Sequence, residues 1–381
     1  MTQNSIADNR MVWLDVVRCV AMLMVIGVHC IDPFYISPTM RVIPEYTHWA
    51  AIYGSLLRPS VPLFVMMTGL LLLPVRQQPL GTFYKKRIFR VLFPFLIWSV
   101  LYSMFPWFTG LLGLPKEIIG DFFCYTQGHE SQSLIDSLKD VAMIPFNFSH
   151  KENHMWYIYL LIGLYLYLPI FSAWVEKASE KAKLWFLVAW GITGLLPYYY
   201  QFVSPYIWGG CAWNSFNMLY YFAGFNGYLL LGHYLRNHDW SWSKTLSVCI
   251  PMFLAGYMVT FFGFRHMTAL PQCSDEMLEL FFTYNSLNVI MMTIPFFLIA
   301  KKVKVRSELI QRMLANLTVC GFGIYMIHYF FTGPGVVLMR NIGVPVPLQI
   351  PAAAVVAFGV SWLLVVFIRK ISGKNAKYIV G

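Results

Sequence analysis

The stretch from Met11 to Ile31, MVWLDVVRCVAMLMVIGVHCI, decides the fold class. It supplies the roughly 20 apolar residues that an α-helix needs to cross a hydrocarbon layer about 30 Å thick. Three ionisable groups interrupt it, Asp15 and Arg18 near its start and His29 near its end. Such groups are costly at membrane depth unless they face a polar interior, so they are read as functional by default. Arg18 and His29 are eleven residues apart. Eleven steps of about 100° return to within ~20° of the starting direction, and a rise of about 1.5 Å per residue separates the two by ~16 Å. One helix face thus offers a cation near one end and an imidazole near the other.

The remainder of the 381 residues agrees with a membrane protein: 58% are apolar, 12% are charged and the mean hydropathy is +0.58. Soluble domains carry about 25% charged residues. The net charge of +11 is spread over short clusters between apolar runs, so topology accounts for it and nucleic-acid binding does not. Ten apolar segments can be marked, at 12–31, 50–73, 88–112, 155–174, 183–200, 217–235, 243–264, 277–300, 313–332 and 346–368. Alternate connections carry 20 of the 28 basic residues, from Arg10, through the run Lys85, Lys86, Arg87 and Arg90, to Lys377. The opposite connections carry six (Arg41, Lys116, Lys139, Lys151, Arg265 and Arg340). Basic loops stay in the cytoplasm. The expectation is an all-α, polytopic integral membrane protein of about ten transmembrane helices. Residues 1–381 form a single transmembrane domain with both termini cytoplasmic. The first segment is long and lacks a small-residue cleavage site, so it is expected to stay as an anchor.

The seven cysteines show no CxxC pair and no metal-ligand spacing, which points to packing, and no metal is expected. Cys124 with Cys211 or Cys273 is the one pairing the outer loops would allow. The only long connection, 113–154, falls on the outer side and carries Glu117, Asp121, Glu130, Asp136, Asp140 and Glu152. It is either a cap over a site or a solvated connector. Within it, 134–144 has apolar residues at helical spacing, as a short surface helix would.

With this topology, His29, His154 and His328 reach the outer half from three different helices. Asp15 and Arg18 lie in the inner half, and Arg58 partway down the second helix. Imidazole titrates nearest working pH and suits proton abstraction from a hydroxyl. Asp32, three residues after His29, is spaced to orient its ring. Each histidine could equally be a packing residue, and Arg18 could simply pair with Asp15. The cluster KKRIFRVLFP (Lys85 to Pro94) leads into the third helix. Lys86, Arg87 and Arg90 there suit an anion held at a helix N-terminus, or they follow the positive-inside rule alone. Asn226, Asn285, Asn288 and Tyr325 add polar groups to later helices, either for a wet interior or for interhelical hydrogen bonds.

In order along the chain, these stretches resemble the family-3 membrane acyltransferases. LDVVRCVAMLMVIGVH (Leu14 to His29) is similar to the family's first-helix signature. RPSVPLFVMMTGLLL (Arg58 to Leu72) is similar to its second-helix segment, with Thr68-Gly69 where Ser-Gly is usual; the hydroxyl is retained. KKRIFRVLFP resembles the Arg-x-x-Arg entrance to the third helix. NHMWYIYLLIGLYLYLP (Asn153 to Pro169) resembles the His-x-Trp element, and GFGIYMIHYF (Gly321 to Phe330) a late-helix element. Within the family, the likeness is to O-acetyltransferases of lipid-linked surface glycans, such as that of the enterobacterial common antigen.

The resemblance implies acyl transfer, commonly of acetyl from cytoplasmic acetyl-CoA, to a hydroxyl of a carbohydrate outside the bacterial inner membrane. It makes His29 and Arg18 the essential histidine and arginine of the first helix. Arg87 and Arg90, with Lys86 beside them, match the basic group that holds CoA phosphates. His154, Trp156, Tyr325 and His328 sit in shared motifs and, with Asn288, are candidate substrate-binding residues. On this reading the pantetheine arm passes Arg18 and presents the thioester near His29. His29 acts as general base, or as a nucleophile forming an acyl-histidine. Arg58 is better placed than Arg18 to face the developing oxyanion. Acetyl-CoA, a lipid-linked glycan or other carbohydrate, and membrane lipids are the expected partners, with a homo-oligomer left open. The rival reading is a proton-coupled transporter or a flippase of a lipid-linked glycan precursor. Acceptor choice is assigned to connection 113–154 and the outer pore mouth. Exchanging the connection between relatives should therefore change which acceptor is acylated, and unchanged choice would contradict the assignment.

Overall fold

The computed structural model describes residues 11–114, 132–270 and 272–381, without the side chains of 38, 39 and 150. Arg10, Lys116, Glu117, Asp121, Cys124 and Glu130, all named in the sequence reading, lie outside the described residues, and so does the cysteine pairing through Cys124.

The protein is an all-α, polytopic membrane protein. Among the described residues eight helices are long and apolar enough to cross a membrane: Val12–Ile36, Pro44–Leu72, Leu80–Leu111, Lys151–Lys177, Trp242–Ala269, Leu280–Ala300, Glu308–Ile327 and Val346–Ile379. Helices dominate because a backbone in lipid must satisfy its own hydrogen bonds within each segment. Two of the ten apolar segments marked in the sequence fall on shorter helices. Segment 183–200 breaks at Gly194, where the backbone of Leu287 comes so close that a Cβ would stand 2.8 Å from its nitrogen. Segment 217–235 becomes α-helical only at Asn226, after a 3-10 turn at Tyr220–Phe222 and after Gly224, whose φ of +91° other residues rarely adopt.

We number the helices used below in chain order: α1 (Val12–Ile36), α2 (Ser60–Leu72), α3 (Leu80–Leu111), α4 (Leu134–Met143), α5 (Trp156–Lys177), α6 (Asn226–Arg236), α7 (Trp242–Ala269), α8 (Leu287–Ala300), α9 (Glu308–Ile327), α10 (Tyr329–Asn341) and α11 (Val346–Ser372). Local chemistry sets several starts. Ser133 and Ser241 each accept a hydrogen bond from the backbone N–H three residues on, which fixes the first turns of α4 and α7. Helix α4 is the short surface helix expected in the long connection. Its Leu134, Ile135 and Leu138 face outward, as on an interfacial helix. At 32 residues α3 is ~48 Å long, well beyond the hydrocarbon thickness.

The chain packs as two compact units, each assembled from separate stretches. The first comprises Met1–Met24, Ser55–Pro74 and Trp174–Val319, and the second Val25–Gly54, Val75–Ala173 and Cys320–Gly381. In the first, the main pairings are α7 with α8 and α2 with α6. Both depend on small residues. A Cβ at Gly69 of α2 would overlap the Leu229 carbonyl of α6, and one at Gly232 of α6 would overlap the Met66 carbonyl of α2. The two backbones therefore touch, which lipid-embedded helices exploit because packing, not water exclusion, drives their association. In the second unit α10 packs on α11, α3 on α4, and Val380 fills the notch beside Gly323.

This geometry gives a test of the α2–α6 contact. Gly69→Val and Gly232→Val should each lower the thermal stability of the detergent-extracted protein, by about 1–3 kcal/mol or more for forced overpacking. Gly163→Ala meets no atom within 4 Å and should leave stability near that of the parent. Equal melting of all three variants would contradict the close approach.

Candidate active site

Each predicted histidine reaches the same place in the second unit by a different local device. His29 and Asp32 lie three residues apart on α1, one turn on the same face. The spacing puts His29 Nδ1 3.1 Å from Asp32 Oδ2, and the Tyr35 hydroxyl donates to Asp32 Oδ1 at 3.4 Å. A carboxylate accepts hydrogen bonds, so Nδ1 carries a proton, and in the neutral ring Nε2 is then the nitrogen with the lone pair.

His154 sits in a 3-10 turn, His150–Met155, that opens into α5. The Glu152 carboxylate accepts from the Ser149 backbone N–H at 3.5 Å, and the Glu152 N–H donates to the Ser149 carbonyl oxygen at 3.0 Å. The Lys151 ammonium, itself buried, binds Asp140 of α4 at 2.5 Å. The Tyr325 hydroxyl of α9 donates to the His154 carbonyl oxygen. The turn is thus tied to two helices, and the His154 ring is 1% exposed as a residue.

His328 occupies the break between α9 and α10. Its Nδ1 lies 2.7 Å from the Tyr325 carbonyl oxygen, and the residue is fully buried.

The three rings converge. Centroids are 5.4 Å apart for His29 and His328, 5.1 Å for His154 and His328, and 6.3 Å for His29 and His154. Two tyrosines that the sequence reading did not select complete the cluster. Tyr329 stacks on His154 at 4.7 Å and meets His29 edge-on at 5.2 Å. Tyr102 of α3 lies 5.1 Å from His154, stacks on Phe330 at 4.0 Å, and donates its hydroxyl to the Met326 carbonyl oxygen at 3.0 Å. A signal for Tyr102 was available: Ser99, Tyr102 and Ser103 form a polar patch inside an apolar span, and all three are buried. Tyr329 was hidden as a neighbour of His328, since only the helix break brings both inward. The carbonyl oxygen, ring nitrogens and hydroxyls here can hold and move a proton. Among the described residues no group of three or more His, Cys, Asp or Glu is arranged to hold a metal ion.

The other candidates are distributed as follows. Trp156 starts α5 in the second unit, its ring 6.1 Å from Tyr157, and Tyr325 is buried beside His154 and His328. Asn288 belongs to the first unit. Its amide donates to Thr260 at 2.8 Å and to the Phe281 carbonyl at 2.9 Å, and its oxygen accepts from Tyr198 at 2.5 Å. Both of its N–H groups and one lone pair of its oxygen are thus engaged by neighbouring groups of the first unit. Arg58, also in the first unit, is buried with its guanidinium 4.0 Å from the Phe282 ring and 5.9 Å from Tyr284, a cation–π arrangement. Arg18 pairs with Asp15 at 3.2 Å, and Thr318 donates to the same carboxylate oxygen at 2.8 Å. The plain ion-pair reading of Arg18 is therefore realised, while part of its side chain stays exposed.

Lys86, Arg87 and Arg90 lie in the second unit on α3. One expectation needs correction. The helix begins at Leu80, after Pro79, so the free amides of its first turn precede the cluster by a turn or more. The free amides of the helix terminus therefore lie apart from these three side chains. Arg87 and Arg90 are three residues apart on one face of the helix. Lys86 and Arg90 are exposed, and no acidic side chain among the described residues pairs with the three.

The chain matches the family model described as "Acyltransferase domain" (Acyl_transf_3) over residues 11–366. No curated protein and no solved structure matches it. The match spans both units and includes every candidate residue named above, so the chain belongs to the family-3 membrane acyltransferases, and its activity is acyl transfer.

Proposed function

We propose that the protein transfers an acetyl group from acetyl-CoA to a hydroxyl of a carbohydrate on the outer side of the bacterial inner membrane, in the manner of O-acetyltransferases of lipid-linked surface glycans. The observation that carries the reading is the Asp32–His29 contact inside a buried cluster of imidazoles and tyrosines. His29 Nε2 takes the proton of the acceptor hydroxyl as its oxygen bonds to the thioester carbonyl carbon. The tetrahedral intermediate then expels the thiolate as the C–S bond breaks, and the same proton passes to sulfur, giving the ester and free CoA. The base is regenerated with no change in charge. Asp32 holds the ring in the tautomer that leaves Nε2 available, and it stabilises the imidazolium formed in between.

Arg87 and Arg90, with Lys86, support a site for the CoA phosphates, since guanidinium forks match phosphate oxygens and these three lack acidic partners among the described residues. Basic residues crowd alternate connections, which supports cytoplasmic termini and a cytoplasmic donor. For Arg18 and Arg58 we retain the donor-positioning and oxyanion roles as assignments to be read by substitution.

Purified, reconstituted protein should release free CoA from acetyl-CoA when a glycan acceptor is supplied, which a transporter would not do. His29→Ala should lower that rate roughly 10²- to 10⁴-fold; near-normal transfer would refute the mechanism. Asp32→Asn should lower kcat at least about tenfold with KM less affected, because an amide can present the ring in the wrong tautomer. Arg90→Ala should raise the KM for acetyl-CoA about tenfold or more, the loss of one charged hydrogen bond, while leaving acceptor KM near its parent value. Equal loss toward both substrates would argue against a phosphate site.

A further inference from the structure

We propose that His328 is a second hydroxyl-binding point of this site, selecting acceptors that carry two neighbouring hydroxyls, as the vicinal diols of sugars do. The inference rests on the acyl-transfer reading and adds to it the feature by which the acceptor is recognised. Its basis is the donor–acceptor count at one ring. His328 is 0% exposed, and its Nδ1 lies 2.7 Å from the Tyr325 carbonyl oxygen. A carbonyl oxygen only accepts, so Nδ1 holds the proton and Nε2 of the neutral ring is a lone pair. No protein group donates to that nitrogen among the described residues, and no carboxylate pairs with the ring.

A buried acceptor with no donor raises the free energy of the folded state, so such a nitrogen within a site is matched to a donor that a ligand brings. Its polarity narrows the ligand group. Nε2 accepts from a hydroxyl or N–H and repels carbonyl, carboxylate and phosphate oxygens. The His328 ring centroid stands 5.4 Å from that of His29, whose lone pair receives the reacting hydroxyl. Adjacent hydroxyls on a sugar ring are spaced to address two such nitrogens together: one is deprotonated by His29, and its neighbour donates to His328. A lone alcohol would satisfy only the first, leaving the His328 acceptor unmet. Tyr325 takes part through its backbone carbonyl, which sets the His328 tautomer as Asp32 sets that of His29.

The test uses protein labelled with ¹⁵N-histidine in lipid nanodiscs, with the His328 signals assigned by their loss in His328→Phe. The probes are cis-1,2-cyclohexanediol and cyclohexanol. The His328 Nε2 signal should be that of an unprotonated nitrogen, should move on addition of the diol, and should stay in place with the same concentration of cyclohexanol. In an acetyl-CoA assay the parent should acylate the diol at least about tenfold faster than cyclohexanol, since a site built for a hydroxyl rejects the analogue lacking it. That preference should vanish in His328→Phe. A protonated or unresponsive Nε2, a preference that survives in His328→Phe, or a loss confined to the KM for acetyl-CoA would overturn the proposal. Failure of the acyl-transfer reading looks different: no CoA release with either alcohol, while the diol still moves the Nε2 signal and so upholds the binding point.

Discussion

An imidazole acts as a base only while one nitrogen keeps its lone pair, and the contact of His29 Nδ1 with Asp32 fixes Nε2 as that nitrogen in the neutral ring. The remainder of the site depends on it. Were the ring free to take the other tautomer, or to turn, its proximity to His154, His328 and Tyr329 would amount to packing. The pair needs no long-range architecture, because both residues lie on one helix, one turn apart. What the fold contributes is enclosure: a helix break at His328, a tied 3-10 turn at His154, and Tyr102 on α3.

Burial gives this arrangement its chemical force and also its cost. Polar groups at membrane depth are expensive unless satisfied, and three side chains here find backbone carbonyls. Tyr102 donates to Met326, Tyr325 to the carbonyl of His154, and His328 to that of Tyr325. These bonds use rigid acceptors and leave each ring one defined direction. The turn carrying His154 is anchored further by the Lys151–Asp140 pair, so the connection before α5 is mechanically part of the site. Preorganisation of this kind, rather than contact number, is what lets hydrogen bonds contribute to a transition state.

Much of this was legible in the sequence. Apolar runs and alternating basic loops pointed to the all-α membrane class, and depth along each helix predicted that His29, His154 and His328 would reach the outer half from three helices. That their rings lie together follows from tertiary packing, which residue spacing cannot show. Two short helices were read as full spans because hydropathy registers apolar length and misses the backbone demands of Gly194 and Gly224. The start of α3 was placed too late for a related reason: Leu80 to Tyr84 is helical but lies ahead of the basic cluster, where an apolar count does not look. A polar residue in a span signals either a site or a helix joint, and residue spacing could not show that Asn288 meets Thr260, Phe281 and Tyr198.

In the proposed mechanism His29 moves a proton and does not itself carry the acyl group. Incubating the purified protein with radiolabelled acetyl-CoA in the absence of any acceptor tests this directly. General-base catalysis predicts that no stable label remains on the protein after the donor is removed. Label recovered at His29 would contradict it and would establish an acyl-histidine intermediate instead.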